Sequence, residues 1–286
     1  MNVEHRTSNI ERRTSNFEIQ CYQFRIGISV SQFKHKTWSW LCDILQAMKT
    51  THDIQITKRP SEERGLTNIG WLDSRHSFSF GGYTDPEHVG FRNLRVINED
   101  KIAPGRGFGE HPHRSMEILS YVVEGELEHK DSLGNGRVIK AGEFQYMSAG
   151  SGVLHSEFNP QSDKPTHFLQ IWIQPREQGG EPRYQDFDTA EKRVKNGLFL
   201  LASPDGEQGS AAIRQDARIH FGDLAAEATI DVPADERYPF AWVQVIKGGI
   251  KISDTELSAG DGAAIEGNAF AIQGSEDAEF LLFRLS

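Results

Sequence analysis

Between Gly105 and Asn159 the chain carries two pairs of metal-binding side-chain types, each pair with one residue between its members. They are His111-Pro112-His113 and His155-Ser156-Glu157. Residues two apart on a β-strand project from the same face. Two such strands brought together inside a barrel aim three imidazoles and one carboxylate at a common point. That set suits a divalent transition metal such as iron, copper, nickel, manganese or zinc. Without an ion, a buried cluster of imidazoles and a carboxylate leaves polar groups unpaired. A metal site is therefore a stronger reading of the two pairs than four unrelated structural residues.

The surrounding sequence agrees with an all-β fold. From Ile54 onward the pattern is β-rich: His76, Phe78 and Phe80 alternate with Ser77 and Ser79, and 94–97, 118–123, 144–147, 153–158 and 168–173 read as further short strands. Leu-Gly-Asn-Gly at 133–136 reads as a hairpin turn of residues that tolerate positive φ. Many short strands with regular turn signals predict a sandwich or barrel. The second half then repeats the first in outline. YVVEGELE at 121–128 resembles QVIKGGIK at 244–251, AGE at 141–143 resembles AGD at 259–261, and HFLQIWI at 167–173 resembles EFLLF at 279–283. Two copies of one β-unit imply two stacked barrels. The last histidine of the chain is His220, so nothing after it can replace a histidine ligand.

The expected division is an N-terminal extension over 1–53, a metal-bearing barrel over 54–174, a linker over 175–195 and a metal-free barrel over 196–286. The linker stretch carries Gly-Gly, prolines and many charges. The extension opens with a polar tandem heptad, too poor in apolar residues to form a coiled-coil seam, and reads as disordered. Trp38, Leu41, Cys42 and Leu45 follow helical spacing within it. A natural start at or near Met48 is expected, where strand-like alternation begins.

Charge and cysteine content narrow the function. The formal net charge is −10, and the acidic excess lies beyond the extension. An acidic body argues against direct nucleic-acid binding as the main activity. The two cysteines, Cys21 and Cys42, both fall in the extension, so no disulfide framework supports the barrels. No run of about 18 apolar residues is present to span a membrane, and the N-terminus lacks a signal-peptide layout. Cytoplasm is the default compartment.

Other residues receive plainer readings. Phe108, Met147 and Phe158 flank the ligand segments and are candidate pocket walls, with ordinary core as the alternative. Arg114 reads as a surface arginine, with the orienting of an anionic group as the alternative. His76, His88, His129, His167 and His220 read as surface or core histidines without ligand partners. Glu124, Glu126 and Glu128 alternate along a strand and read as a solvated face. Gly107-Phe-Gly109 is no phosphate loop, because no lysine-containing helix start follows it.

Gly105, His111, His113, Glu117 and Gly125 resemble the first cupin motif. Gly142, Ser148 where the motif prefers proline, Gly150 or Gly152, His155 and Asn159 resemble the second. More closely, HPHRSMEILSYVVEGELEHKDS at 111–132 and MSAGSGVLHSEFNP at 147–160 resemble the pirin family, including its bacterial members. The resemblance runs from about Ile54 to Ser286 and is strongest over 71–172. It implies two stacked cupin (jelly-roll-like) barrels with metal only in the first, held by His111, His113, His155 and Glu157. Glu117 comes one residue earlier than the glutamate of the general motif, and a one-residue shift on a strand reverses its face. It is therefore expected to support the site or the framework, while Glu157 is the ligand and a candidate base.

The resemblance further implies Fe(II) as the metal, with copper, nickel, manganese or zinc as alternatives. It implies a quercetin 2,3-dioxygenase-type ring opening of a flavonol or similar enol with O2. The alternative is a non-catalytic, redox-responsive metal-binding regulator with a protein partner, and a third reading is a cupin of another reaction type such as an isomerase. A monomer is expected.

Overall fold

The computed structural model describes residues 54–189, 192–267 and 269–286. The extension expected over 1–53, with its helix-like spacing and both cysteines, lies outside the described residues. Within them the chain is almost entirely β, apart from two short 3-10 turns at Ser61–Glu63 and Glu207–Gly209. No helix among the described residues is long and apolar enough to cross a membrane.

The strands form two barrels of the cupin type, each a seven-stranded sheet facing a four-stranded one. In the first barrel the large sheet runs, edge to edge, Arg183–Asp188, Glu143–Ser148, Glu117–Glu124, Thr166–Ile173, Leu94–Ile102, Leu72–His76 and Gly65–Asn68. Its small sheet runs Gly107–His113, Val153–Phe158, Glu126–Asp131 and Gly136–Lys140. In the second barrel the large sheet runs Gln55–Arg59, Gly262–Glu266, Phe240–Lys247, Ala278–Leu285, Ala217–Leu224, Gly197–Ser203 and Ala211–Ala212. Its small sheet runs Thr229–Val232, Phe270–Gly274, Gly249–Ile252 and Thr255–Ser258. The internal repeat read from the sequence is thus a repeat of strand order.

Alternation decides which residues the barrels share. In Glu117–Glu124 the odd-numbered Leu119, Tyr121 and Val123 pack in one core with Phe199, Phe221, Trp242, Leu281 and Phe283 of the second barrel. The even-numbered Val122 instead joins the interior cluster of the first barrel, with Leu127, Ile139 and Phe168. The two large sheets therefore meet back to back through large buried side chains, each worth roughly 1.5–3 kcal/mol relative to exposure. Polar links stitch the same interface. Buried Arg64 donates from Nη1 to Glu99 at 2.7 Å and to the Gly260 carbonyl at 3.0 Å. Glu117 accepts from Ser148 Oγ at 2.7 Å, from the Arg214 backbone N–H at 3.0 Å and from the Tyr146 hydroxyl. Its carboxylate thus serves the framework between the barrels, on the face opposite the even-numbered residues.

Two edge strands depart from the expected division of the chain. Gln55–Arg59 comes from the N-terminal side of the first barrel, yet pairs antiparallel with Gly262–Glu266 of the second. Within the stretch 175–195, expected as a plain linker, Arg183–Asp188 is a strand on the edge of the first barrel, paired with Glu143–Ser148. Other strand bounds move less. The strand expected at 76–80 is displaced to Leu72–His76, because residues 77–80 bend away to make a bridge between Phe80 and Tyr83. The expected hairpin at 133–136 joins Glu126–Asp131 to Gly136–Lys140, which pair antiparallel.

Candidate metal centre

The three histidines of the two pairs meet because their strands are neighbours in the small sheet of the first barrel. His155 stands directly across the ladder from His111, and Val153 from His113. His111 and His113 share a face by the period of two, as do His155 and Glu157. The ring centroids of His111, His113 and His155 lie 4.5 to 4.8 Å apart. One nitrogen from each falls within 4.8 Å of the others. The carboxylate of Glu157 belongs to an adjoining set, with His155 and His129, whose donor atoms also lie within 4.8 Å of one another.

The local chemistry fits a cation. The Nδ1 of His111 bonds the Gly109 carbonyl at 2.8 Å, which leaves Nε2 as its free nitrogen. That Nε2 lies 3.0 Å from the Nε2 of His155. Two imidazole nitrogens bound at roughly 2.1 Å to one ion, at a right angle, would stand about 3 Å apart. The other nitrogen of His155 is buried and has no partner. Burial, with the neighbouring imidazoles second, pushes His113 down to about 4 and His155 down to about 3. Both rings are therefore neutral near pH 7, the form that donates a lone pair to a metal.

Glu157 is fully buried and held from the opposite sheet. Its Oε2 accepts from Gln170 Nε2 at 2.6 Å, and its Oε1 from Ser120 Oγ at 3.2 Å and Gln145 Nε2 at 3.5 Å. These donors form one row across the large sheet. Gln145 pairs with Ser120, Ser120 with Gln170, and Gln170 with Asn98. Asn98 continues the row to His76, whose Nδ1 lies 2.8 Å from Asn98 Oδ1.

The candidate pocket walls separate. In the ladder His155 faces His111 but Glu157 faces Phe108, so two residues, Gly109 and Glu110, stand against the single Ser156. This bulge turns Phe108 onto the inward face, three residues before His111. There it packs edge to face on Trp71, at 5.4 Å, beside the interior cluster. Met147 is fully buried in a cluster with Ile118, Ala149 and Val153, capped by Met116, Trp172 and Tyr184. Phe158 lies on the other face of its strand from His155 and Glu157, half-buried, and is set apart from the imidazoles. Arg114 donates to the Ser151 carbonyl at 3.1 Å on the surface.

Two aromatic rings that the sequence reading did not single out bracket the histidines. Trp172 meets His113 edge to face at 4.9 Å, and Tyr184 stacks on His129 at 4.9 Å. His129, expected as a surface or core histidine without ligand partners, is a core residue, but the structure corrects the second part by setting it beside His155 and Glu157. It is buried against His155, with ring centroids 5.3 Å apart. The signal was present: His129-Lys130-Asp131 repeats the spacing of the other two pairs. Of the remaining histidines, His88 bonds Asp85 at 2.7 Å and His167 bonds Glu99 at 2.9 Å.

Comparison with known proteins agrees with this architecture. Residues 58–173 match the family described as Pirin, and residues 200–285 match the Quercetinase C-terminal cupin domain. A quercetin 2,3-dioxygenase of Escherichia coli K12 is 47% identical over 231 residues, covering 79% of this chain and 97% of the relative. The crystal structure of the E. coli bacterial pirin YhhW in complex with nickel(II) superposes with a TM-score of 0.77. It is 45% identical, over 81% of this chain and 99% of that one. A quercetin 2,3-dioxygenase structure from Acinetobacter baumannii, 24% identical with a TM-score of 0.62 over 77% of this chain and 84% of that one, shares the fold.

Proposed function

The chain belongs to the pirin family, and we propose that it is a metal-dependent dioxygenase that opens the ring of a flavonol or a similar enol with O2. His111, His113, His155 and Glu157 hold the ion. Fe(II) is the metal we favour, because imidazole and carboxylate ligands with open positions suit O2 chemistry at iron. The name of the E. coli relative supports the substrate class. The single observation that carries the reading is the meeting of three imidazoles at 4.5 to 4.8 Å beside a buried carboxylate.

Held by His111, His113, His155 and Glu157, such an ion would lower the pKa of an enol hydroxyl and would supply the redox chemistry with O2. The chain supplies the rest. Glu157 Oε2 is held at 2.6 Å by Gln170, whereas Oε1 has only the longer contacts to Ser120 and Gln145. Oε1 is therefore the atom that takes the hydroxyl proton of the substrate. Trp172 against His113 and Tyr184 against His129 are the aromatic rings beside the imidazoles that suit a flat aromatic guest. His111 and His113 lie on an edge strand and are only half-buried, so a guest can reach the imidazoles from that side.

The test is oxygen uptake and carbon monoxide release by metal-reconstituted protein on adding quercetin under air. Turnover that disappears on chelation is the expected result. A fully metal-loaded protein that consumes no oxygen with quercetin or related enols would overturn the dioxygenase reading and favour the regulatory one.

A further inference from the structure

We propose that His129 and Tyr184 are positioning residues of the metal centre, joined through Gln145 and Asp131 into a brace that fixes Glu157 and His155 from behind. The inference rests on the metal-site reading above.

The brace begins in the ladder. Val153–Phe158 lies between two neighbours, and each of its site residues faces both. His155 faces His111 on one side and Asp131 on the other, while Glu157 faces Phe108 and His129. Three adjacent strands therefore present a pair with the same spacing to one interior. His129 and Asp131 have fully buried side chains.

The hydrogen bonds leave one consistent assignment. The Tyr184 hydroxyl donates to Gln145 Oε1 at 3.2 Å. The Glu157 carboxylate only accepts, and this fixes which end of the Gln145 amide is nitrogen: its Nε2 donates to Glu157 Oε1 at 3.5 Å and to His129 Nδ1 at 3.3 Å. A ring nitrogen that accepts carries no proton. The His129 proton is then on Nε2, donated to Asp131 Oδ2 at 3.3 Å. Asp131 cannot follow a moving ring. Its carboxylate is pinned in the hairpin turn by the backbone N–H of Leu133 at 2.9 Å and of Asn135 at 3.0 Å, and by Asn135 Nδ2 at 2.8 Å. Both nitrogens of His129 are thus committed, which makes it a wall behind the ligands and not a ligand.

Removing the Tyr184 hydroxyl takes the donor from Gln145 Oε1 and leaves the amide held only by its longer contacts to Glu157 and His129. The amide then loses its fixed place behind the carboxylate. Partners of this kind behind metal ligands typically contribute 10- to 100-fold to metal affinity. Tyr184 comes from Arg183–Asp188, the strand that leads toward the second barrel, so the precision of the site depends on a segment outside the ligand motifs.

Cobalt(II) is the probe, because its visible absorption reports ligand geometry. Apo wild type, Tyr184→Phe and His129→Phe are titrated with cobalt(II) against a competing chelator, and their apo melting temperatures are compared. Tyr184→Phe keeps the stacked ring and loses only the hydroxyl. The expected result is 10- to 100-fold weaker cobalt binding and shifted visible bands in Tyr184→Phe, with an unchanged apo melting temperature, and a larger loss in His129→Phe. Wild-type affinity and spectrum in both variants would overturn the positioning role while leaving the metal site intact. Weaker binding with an unaltered spectrum and a matching fall in apo stability would overturn it as well, in favour of a purely structural role. A wild type that takes up no cobalt would overturn the metal site, and the brace with it.

Discussion

The two barrels share a strand order and a ladder, and differ in what four rungs of that ladder carry. In the first, the inward row reads Gln145, Ser120, Gln170 and Asn98. In the second, the equivalent row reads Ala263, Val243, Leu282 and His220. The second interior is otherwise apolar, packed with Ile230, Val245, Ile250, Ile265, Ile272 and Phe280. A buried amide or hydroxyl left unbonded costs about 1–3 kcal/mol. The first barrel tolerates its row because Glu157 accepts from three of its members. Where no carboxylate is present, the donors have no purpose and aliphatic residues replace them. The topology is common to both halves, and the chemistry resides in side chains added to it.

The harshest way to break this comparison is to remove a ligand. His111→Ala or His155→Ala is expected to reduce metal content by more than tenfold in elemental analysis, while the circular dichroism of the strands persists. His220→Ala in the second barrel should leave metal content unchanged. Either first-barrel variant retaining full metal would show the ligand assignment to be wrong. Next in size is an exchange of rungs. Leu282→Gln places an amide among Val243, Ile265 and Phe280 with no carboxylate to receive it, and should lower stability in denaturant by ~2–4 kcal/mol. The reciprocal Gln170→Leu removes the 2.6 Å donor of Glu157 and should cost about 1–3 kcal/mol. If Leu282→Gln proved neutral, the idea that the second interior rejects a polar row would fail.

The smallest effect is a matter of sign with pH. Burial holds His220 down to about 4, against about 6.5 when unfolded. Its contribution is full above pH 6.5 and is lost as pH falls through 4. Burial drives Asp100, in the first barrel, up to about 7, opposed by the Ser74 hydroxyl. Its contribution is full below about pH 4 and is lost as pH rises through 7. The two windows overlap with opposite slopes. His220→Leu should flatten the acid side of the melting profile, and Asp100→Asn should flatten the loss between pH 4 and 7. Melting curves at pH 4.5, 6 and 7.5 measure both, and parallel profiles for all three proteins would refute the assignment.

The candidate ligands are legible in the sequence because a period of two is visible without knowing any partner strand. The same period of two carries the third pair, His129 and Asp131. A strand with Glu126 and Glu128 on its outer face has Leu127, His129 and Asp131 on the inner one, and these three side chains are buried. Other features needed the fold. The bulge at Gly109 and Glu110 moves Phe108 to the interior, and no local pattern announces the slip. The strand Arg183–Asp188 is an edge strand with charged positions, so its composition matches a linker. The strand character of Gln55–Arg59 was readable from alternation, but its partner in the far barrel was not.

Because Gln55–Arg59 pairs with the far half, no single cut divides this chain into two self-sufficient pieces. A nick after Ile173 would strip the first piece of Arg183–Asp188, and with it Tyr184, while leaving Gln55–Arg59 attached to the wrong fragment. Each piece would then offer an uncovered strand edge, which invites pairing with any extended chain nearby. Module shuffling with this scaffold must therefore move the five-residue strand Gln55–Arg59 together with the C-terminal half, or reconnect the ends by circular permutation.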